Sequence, residues 1–193
     1  REAVLPAVSL KEGMNQPPQI VVADAGGREQ LLLDLNPHLK HLKLARQEQI
    51  EWQARDGTRV RGGLYYPPDF VKGRRYPLVI QTHGFNPGLF AADGIFVSAN
   101  AAQALANRDI LVLQAWDFPE EDNETMQGWY VTEKLGKVAM HQFEQSVHEG
   151  AIDHLDAAGL IDRNKVGVIG FSFTCWSVKY ALSHPTPGYR FAA

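Results

Sequence analysis

The sequence predicts an α/β fold, a parallel sheet covered by helices and entered through antiparallel hairpins. Three observations carry this. Three short apolar runs, Tyr76 to Ile80, Ile110 to Ala115 and Lys165 to Ile169, are separated by stretches with helical spacing, the pattern of strands buried on both faces. Two segments upstream alternate around Gly-Gly and Asp-Gly turns, the mark of hairpins. A serine, Ser172, stands at the corner where the last apolar run passes into a helix-like segment.

The elements follow in order. Gln19 to Asp24 and Arg28 to Asp34 are strand-like runs around the turn Ala25-Gly-Gly27, and Asn36-Pro37 punctuates their end. An isolated hairpin is marginal in water, so the expectation is a sheet whose other strands lie upstream of Arg1. A second hairpin runs from Ile50 to Arg55, turns at Asp56-Gly57, and returns from Thr58 to Tyr66 before Pro67-Pro68. The strand Tyr76 to Ile80 opens into the loop Thr82-His-Gly-Phe-Asn-Pro-Gly88, followed by a helix from about Gly94 to Asn107 and the strand Ile110 to Ala115. That succession is a β-α-β unit. Trp116 to Gly128 is an acidic loop. A second helix is expected from about Val138 to Ala158, where Phe143, Val147, Ala151, Ile152 and Leu155 recur every three or four residues, with Gly159 as its stop. After the strand Lys165 to Ile169, a helix from Cys175 to Ser183 ends at His184-Pro185.

Composition narrows the function. The chain has 193 residues, 45% of them hydrophobic, enough for a sizeable core. With 19 basic and 22 acidic residues, it offers no broad cationic surface for nucleic acid or anionic lipid. No apolar run approaches the roughly 20 residues of a membrane span. One cysteine, Cys175, allows no internal disulfide, which leaves both a cytoplasmic and a periplasmic location open.

The corner serine carries the chemistry. In a nucleophile elbow, Gly-x-Ser-x-Gly sets the serine on a strained turn between strand and helix, with its hydroxyl exposed above an α/β-hydrolase sheet. Gly170-Phe171-Ser172-Phe173-Thr174 keeps the first glycine and the serine, and puts threonine in place of the second glycine. That substitution predicts a slightly wider turn. The alternative reading of Ser172 is an N-cap of the following helix. An acyl-transfer serine needs two oxyanion donors, the N–H of the next residue, here Phe173, and one from the loop after an early strand. His83-Gly84-Phe85 occupies that loop. The expected architecture is therefore the N-terminal half of an α/β-hydrolase sheet.

The segments "WQARDGTRVRGGLYYPPDF", "YPLVIQTHGF" and "AAGLIDRNKVGVIGFSFT", in this order, resemble the prolyl oligopeptidase family of serine peptidases. The resemblance runs from about Pro17 to the end. It implies that residues 1–45 are the end of a β-propeller domain and a linker, the hairpin being its last blade, and that residues 46–193 are the N-terminal part of the catalytic domain. Within the family, "THGFNPG" and "GFSFTCWSVKYALSHP" are most similar to the lasso peptide isopeptidases, which open the macrolactam of a threaded peptide. The resemblance implies Ser172 as nucleophile and the amides of Phe173 and Phe85 as oxyanion donors. It leaves open whether the His83 imidazole also donates, as a tyrosine does there in some branches. It implies a peptide substrate and no metal or cofactor, and the composition adds no nucleic acid or membrane partner. The alternatives are a general dipeptidyl peptidase, oligopeptidase or acylaminoacyl peptidase of the same family, and a binding protein on a hydrolase scaffold.

Triad order in this fold is serine, acid, histidine. After Ser172 the only histidine is His184, about 18 Å away at the far end of a regular helix. The expectation is a chain truncated at both ends, whose acid, histidine and remaining catalytic half lie beyond Ala193, and which is inactive alone. Other constellations fit less well. His148 and His154 are six apart, about 240° around a helix, where a zinc helix needs four; both are expected to be solvated. His141 and His148 share a face but lack carboxylate ligands at matching spacing. Cys175 is expected to pack beneath the elbow. Glu120-Glu-Asp122 is expected to be solvated surface or, by the resemblance, to meet a substrate amine. Trp116 and Trp129 are expected in loop packing or along the cleft.

Overall fold

A computed structural model describes residues 6–82, 84–90, 101–115 and 136–192, with the backbone alone at 136, 137 and 173. Two sheets form. The first is an antiparallel meander of β1 (Ala7–Gly13), β2 (Gln16–Ala23) and β3 (Glu29–Asp34). The expected hairpin is β2–β3, and its neighbour β1 lies within the chain, not upstream of it. Its signal was the alternation of Val8 and Leu10 with Ser9 and Lys11. Pro17 and Pro18 sit inside β2, which pairs on both sides. They fall where the β1–β2 register is irregular, between Lys11 and Gly13, as residues without an amide hydrogen must. At the β2–β3 turn the Asp24 carboxylate accepts from the amides of Gly26 and Arg28 at 2.9 and 3.0 Å, and Gly27 takes φ +78°, which only glycine adopts at little cost.

The second sheet has five strands in the order β4-β5-β7-β6-β8. These are β4 (Arg46–Gln53), β5 (Arg59–Tyr66), β6 (Tyr76–Gln81), β7 (Leu111–Ala115) and β8 (Ile161–Ile169). β4 begins four residues before the expected Ile50, and β8 four before the expected Lys165. The first stretch is wholly polar and the second follows Ile161 with Asp162-Arg163-Asn164, so neither carries a run of apolar residues. The last three strands run parallel, with β6 between β7 and β8. The β4–β5 hairpin joins antiparallel through β5 on β7, which makes the sheet mixed.

Helices cover both faces. α2 (Gly136–Ala157) and α3 (Cys175–Ser183) pack on one of them. There Val147, Ala151, Ile152, Leu155 and Val178 meet Leu64, Leu78, Ile80, Leu111, Leu113, Val166 and Val168 in a single buried cluster. α1 (Ala102–Ala106) covers the other face, with Ala102 and Ala106 against Ala45, Tyr65 and Val112. The neighbours Val112 and Leu113 thus point to opposite faces, as the strand period of two requires. The part of the expected first helix at 94–100 lies outside the described residues. So does the loop from Trp116 to Gly128.

α2 is fastened to the first hairpin of this sheet. The Trp52 indole N–H donates to the Val147 carbonyl at 2.9 Å, and the amide of Arg55 donates to the Ser146 carbonyl at 3.1 Å. Gly150 allows the approach, because a Cβ there would lie 2.2 Å from the Gln53 carbonyl oxygen. The two sheets touch at one end. The Met14 amide donates to the Pro87 carbonyl at 3.2 Å, and Asn15 exchanges two 2.8 Å bonds with the backbone of Gln47.

Candidate active site

β6 and β8 are parallel neighbours that end together, Gln81 opposite Ile169. The loop after β6 and the turn after β8 therefore leave the same carboxyl edge side by side, where open α/β sheets build their sites. The Thr82 amide and hydroxyl both bond the Ile169 carbonyl, at 3.2 and 3.0 Å.

Ser172 stands at the first residue of a 3-10 turn, Ser172–Thr174, between β8 and α3. It is exposed and takes φ +54°. A left-handed non-glycine residue costs of order 1–3 kcal/mol and persists where its surroundings hold it. Gly170 is part of that hold. A Cβ at Gly170 would lie 2.7 Å from the Val178 side chain, 2.9 Å from the Thr174 carbonyl and 3.0 Å from the Cys175 Cα, so helix and strand close on each other only with glycine here.

Thr174, by contrast, takes φ −70°, where any residue is at ease, so the turn makes no conformational demand for glycine. Its side chain is buried and its hydroxyl is bonded to three groups. It accepts from the Phe171 amide at 3.0 Å, lies 2.9 Å from the Phe171 carbonyl, and is 2.7 Å from the Thr82 hydroxyl.

The loop partner is equally defined. Gly84 takes φ +83° and Phe85 is fully buried. The Phe85 ring rests on the bare backbone of Gly63 in β5, where a Cβ would meet it at 2.4 Å and the Gln47 amide at 2.3 Å. Gln47 donates to Gln114 at 2.9 Å, and Gln114 to Gln81 at 3.3 Å, a buried amide row beneath the loop. Of the four expected site residues, Ser172 and the backbones of Phe173 and Phe85 are brought to one edge of the sheet, while His83 lies outside the described residues. Phe171, just before the serine, and Trp176, four residues after it, are 45% and 59% exposed, and the Lys179 ammonium lies over the Trp176 ring, 4.9 Å from its centroid.

The remaining candidates are occupied elsewhere. His184 closes the far end of α3, its ring stacked on Tyr180 with centroids 4.1 Å apart. His148 is buried, not solvated as expected; His154 is exposed. His148 falls on the core-facing side of α2, one residue from Val147. His141 Nδ1 lies 3.2 Å from Glu144 and 3.1 Å from the Ser177 hydroxyl, which itself donates to Glu144. These contacts form a polar knot between α2 and α3. Ser177 lies 36 residues from His141, so no local pattern announced the knot. Among the described residues no group of three or more His, Cys, Asp or Glu side chains could hold a metal. Cys175 is free and half-buried. Glu120, Asp122, Trp116 and Trp129 lie outside the described residues.

No model of a protein family matches the chain. Among curated proteins it is similar to the lasso peptide isopeptidase AtxE2 of Asticcacaulis excentricus, 28% identical over 197 aligned residues, which cover 96% of this chain and 26% of that protein. Among solved structures it superposes on a serine-to-alanine variant of the AtxE2 isopeptidase with Astexin3-dC4 bound, at TM-score 0.78 and 26% identity over 100% of this chain and 29% of that one. The chain is thus similar, over nearly its whole length, to part of a lasso peptide isopeptidase. The acylaminoacyl peptidase of Pyrococcus horikoshii shares the fold at TM-score 0.68 and 18% identity, over 95% of this chain and 28% of that one. The chain spans about a quarter of the length of the relatives it matches. Like theirs, its sheet is mixed and helix-covered.

Proposed function

We propose that these residues carry the nucleophile half of a serine peptidase that hydrolyses an amide bond of a lasso peptide. The observation that carries the reading is Ser172 at φ +54° on the strand-to-helix corner, beside the loop of Phe85, in a chain similar over 96% of its length to a lasso peptide isopeptidase. In this reading the Ser172 Oγ attacks the amide carbonyl while a base takes its proton. The amides of Phe173 and Phe85, with His83 as a further candidate, stabilise the oxyanion. The C–N bond breaks, the leaving amine takes that proton, and water then hydrolyses the ester at Ser172.

The base and its orienting acid are assigned to sequence outside these 193 residues, since the histidine that follows Ser172, His184, is stacked on Tyr180 at the far end of α3. Residues 1–45 are assigned to the last blade of a β-propeller and a linker, and 46–193 to the catalytic domain. A propeller over the site would admit a slender peptide and exclude a folded protein.

The test uses the full-length protein, a threaded lasso peptide, its unthreaded isomer and linear peptides, with mass spectrometry as readout. The expected product is the threaded peptide plus one water, absent with Ser172→Ala, while the unthreaded isomer stays intact. Rapid cleavage of linear peptides with the lasso untouched would replace this reading by a general oligopeptidase or acylaminoacyl peptidase. A serine that no fluorophosphonate labels would leave a binding protein on a hydrolase scaffold.

A further inference from the structure

We infer that Thr174 is a positioning residue for the nucleophile, and that it works as one unit with Thr82, tying the turn of Ser172 to the loop of the oxyanion donors. The inference rests on the assignment of Ser172 as nucleophile.

Three observations converge. The hydroxyl of Thr174 accepts the N–H of Phe171 at 3.0 Å, the residue just before the serine. The same hydroxyl meets the Thr82 hydroxyl at 2.7 Å, and Thr82 in turn bonds Ile169, the last residue of β8, through both its amide and its side chain. Either direction of the hydroxyl protons completes the chain: Thr82 donates to Thr174 and Thr174 to the Phe171 carbonyl at 2.9 Å, or Thr174 donates to Thr82 and Thr82 to the Ile169 carbonyl. Both side chains are buried, so water does not compete for these bonds, and partial satisfaction would be costly. Thr82 is the residue from which the chain turns toward Gly84 and Phe85. The two lips of the site are therefore joined by side chains 92 residues apart in sequence. A glycine at 174 would keep the backbone and lose the tie.

The experiment measures the rate at which a fluorophosphonate labels Ser172 in the full-length protein, together with the thermal midpoint. Thr174→Val keeps the shape and removes the hydroxyl; it is expected to slow labelling roughly tenfold, as small misplacements of reacting groups do. Thr82→Val should slow it by a similar factor. The double variant should be no slower than either single one, the non-additivity expected of a shared bond. Thr174→Ser restores the hydroxyl and should label within about twofold of the parent. The thermal midpoint distinguishes positioning from folding: losses that merely track a lowered midpoint, with Thr174→Ser as slow as Thr174→Val, overturn the inference. So does labelling of Thr174→Val at the parental rate. If Thr174→Val does not fold, the Thr82→Val and Thr174→Ser pair decides the matter by the same criteria. If the parent protein itself is not labelled at Ser172, the nucleophile assignment fails, and the inference falls with it.

Discussion

Gly150→Ala sets two effects of known size against each other. Gly150 lies within α2, and in a helix interior alanine is favoured over glycine by about 1 kcal/mol. Propensity alone therefore predicts a more stable protein. The packing predicts the reverse. The added Cβ would lie 2.2 Å from the Gln53 carbonyl oxygen, 2.9 Å from the Ala54 Cα and 3.1 Å from the Gln53 carbonyl carbon, whereas real Cβ atoms essentially never come within 3.0 Å of another heavy atom. All three are backbone atoms where β4 passes into its turn, so no rotamer change relieves the contact. α2 must withdraw by about 1 Å to reach an ordinary separation. That movement stretches the Trp52–Val147, Arg55–Ser146 and Asp56–Ser146 bonds, now 2.9, 3.1 and 3.1 Å. Overpacking costs about 1–3 kcal/mol, and a weakened buried hydrogen bond about 1 more. Together they outweigh the propensity gain, and the expected net loss is about 1–3 kcal/mol. Urea unfolding followed by tryptophan fluorescence reads it as a lower midpoint at unchanged slope. Gly167→Ala is the control, because its Cβ would meet nothing closer than 3.6 Å, and it should stay within about 0.5 kcal/mol of the parent. A Gly150→Ala protein as stable as the parent, or more so, would refute the close approach of α2 to the hairpin.

Three further outcomes are expected. Gly63→Ala pushes on the Phe85 ring and the Gln47 amide at 2.4 and 2.3 Å; both are buried and Gln47 is held in the glutamine row, so stability should fall by about 1–3 kcal/mol, while fluorophosphonate labelling of Ser172 slows as the loop moves. Trp52→Phe removes a buried donor to the Val147 carbonyl and leaves space behind it, so urea unfolding should show a loss of about 1–3 kcal/mol. Tyr189 donates to Asp153 at 2.5 Å, and its burial, then that bond and the Asp153 charge, hold its phenol above the ordinary value, which is about 10. A raised folded pKa means that its share of stability is fully present below about pH 10 and lost as pH rises through the folded value. Tyr189→Phe should flatten that alkaline decline in a urea midpoint series, and an unchanged decline would count against the pairing.

Much of this molecule was legible without coordinates, because much of it rests on neighbours in sequence. The strand runs of β6 and β7 carry the apolar pattern of buried strands, Val147, Ala151, Ile152 and Leu155 mark the inner face of α2, and the turns at Gly27 and Gly57 need residues at ease with positive φ. Gly170 and Ser172 announce a strand-to-helix corner because a tight turn and a close helix demand them there. The polar start of β4 and the charged stretch after Ile161 in β8 were not legible, since their pairing partners more than their own side chains make them strands. Nor was the buried state of His148, which follows from the face of α2 that the sheet happens to cover.

The sequence by itself determined where strands, helices and the serine corner fall, since periodicity, turn chemistry and the steric needs of glycine act over a few residues. Only the tertiary structure decided that β7 enters between β5 and β6, that glutamines from three strands form one buried row, and that Thr174 meets Thr82 at 2.7 Å. Those contacts join residues between 33 and 92 positions apart. Their partners are chosen by how the layers pack, a property of the whole chain and of no segment within it.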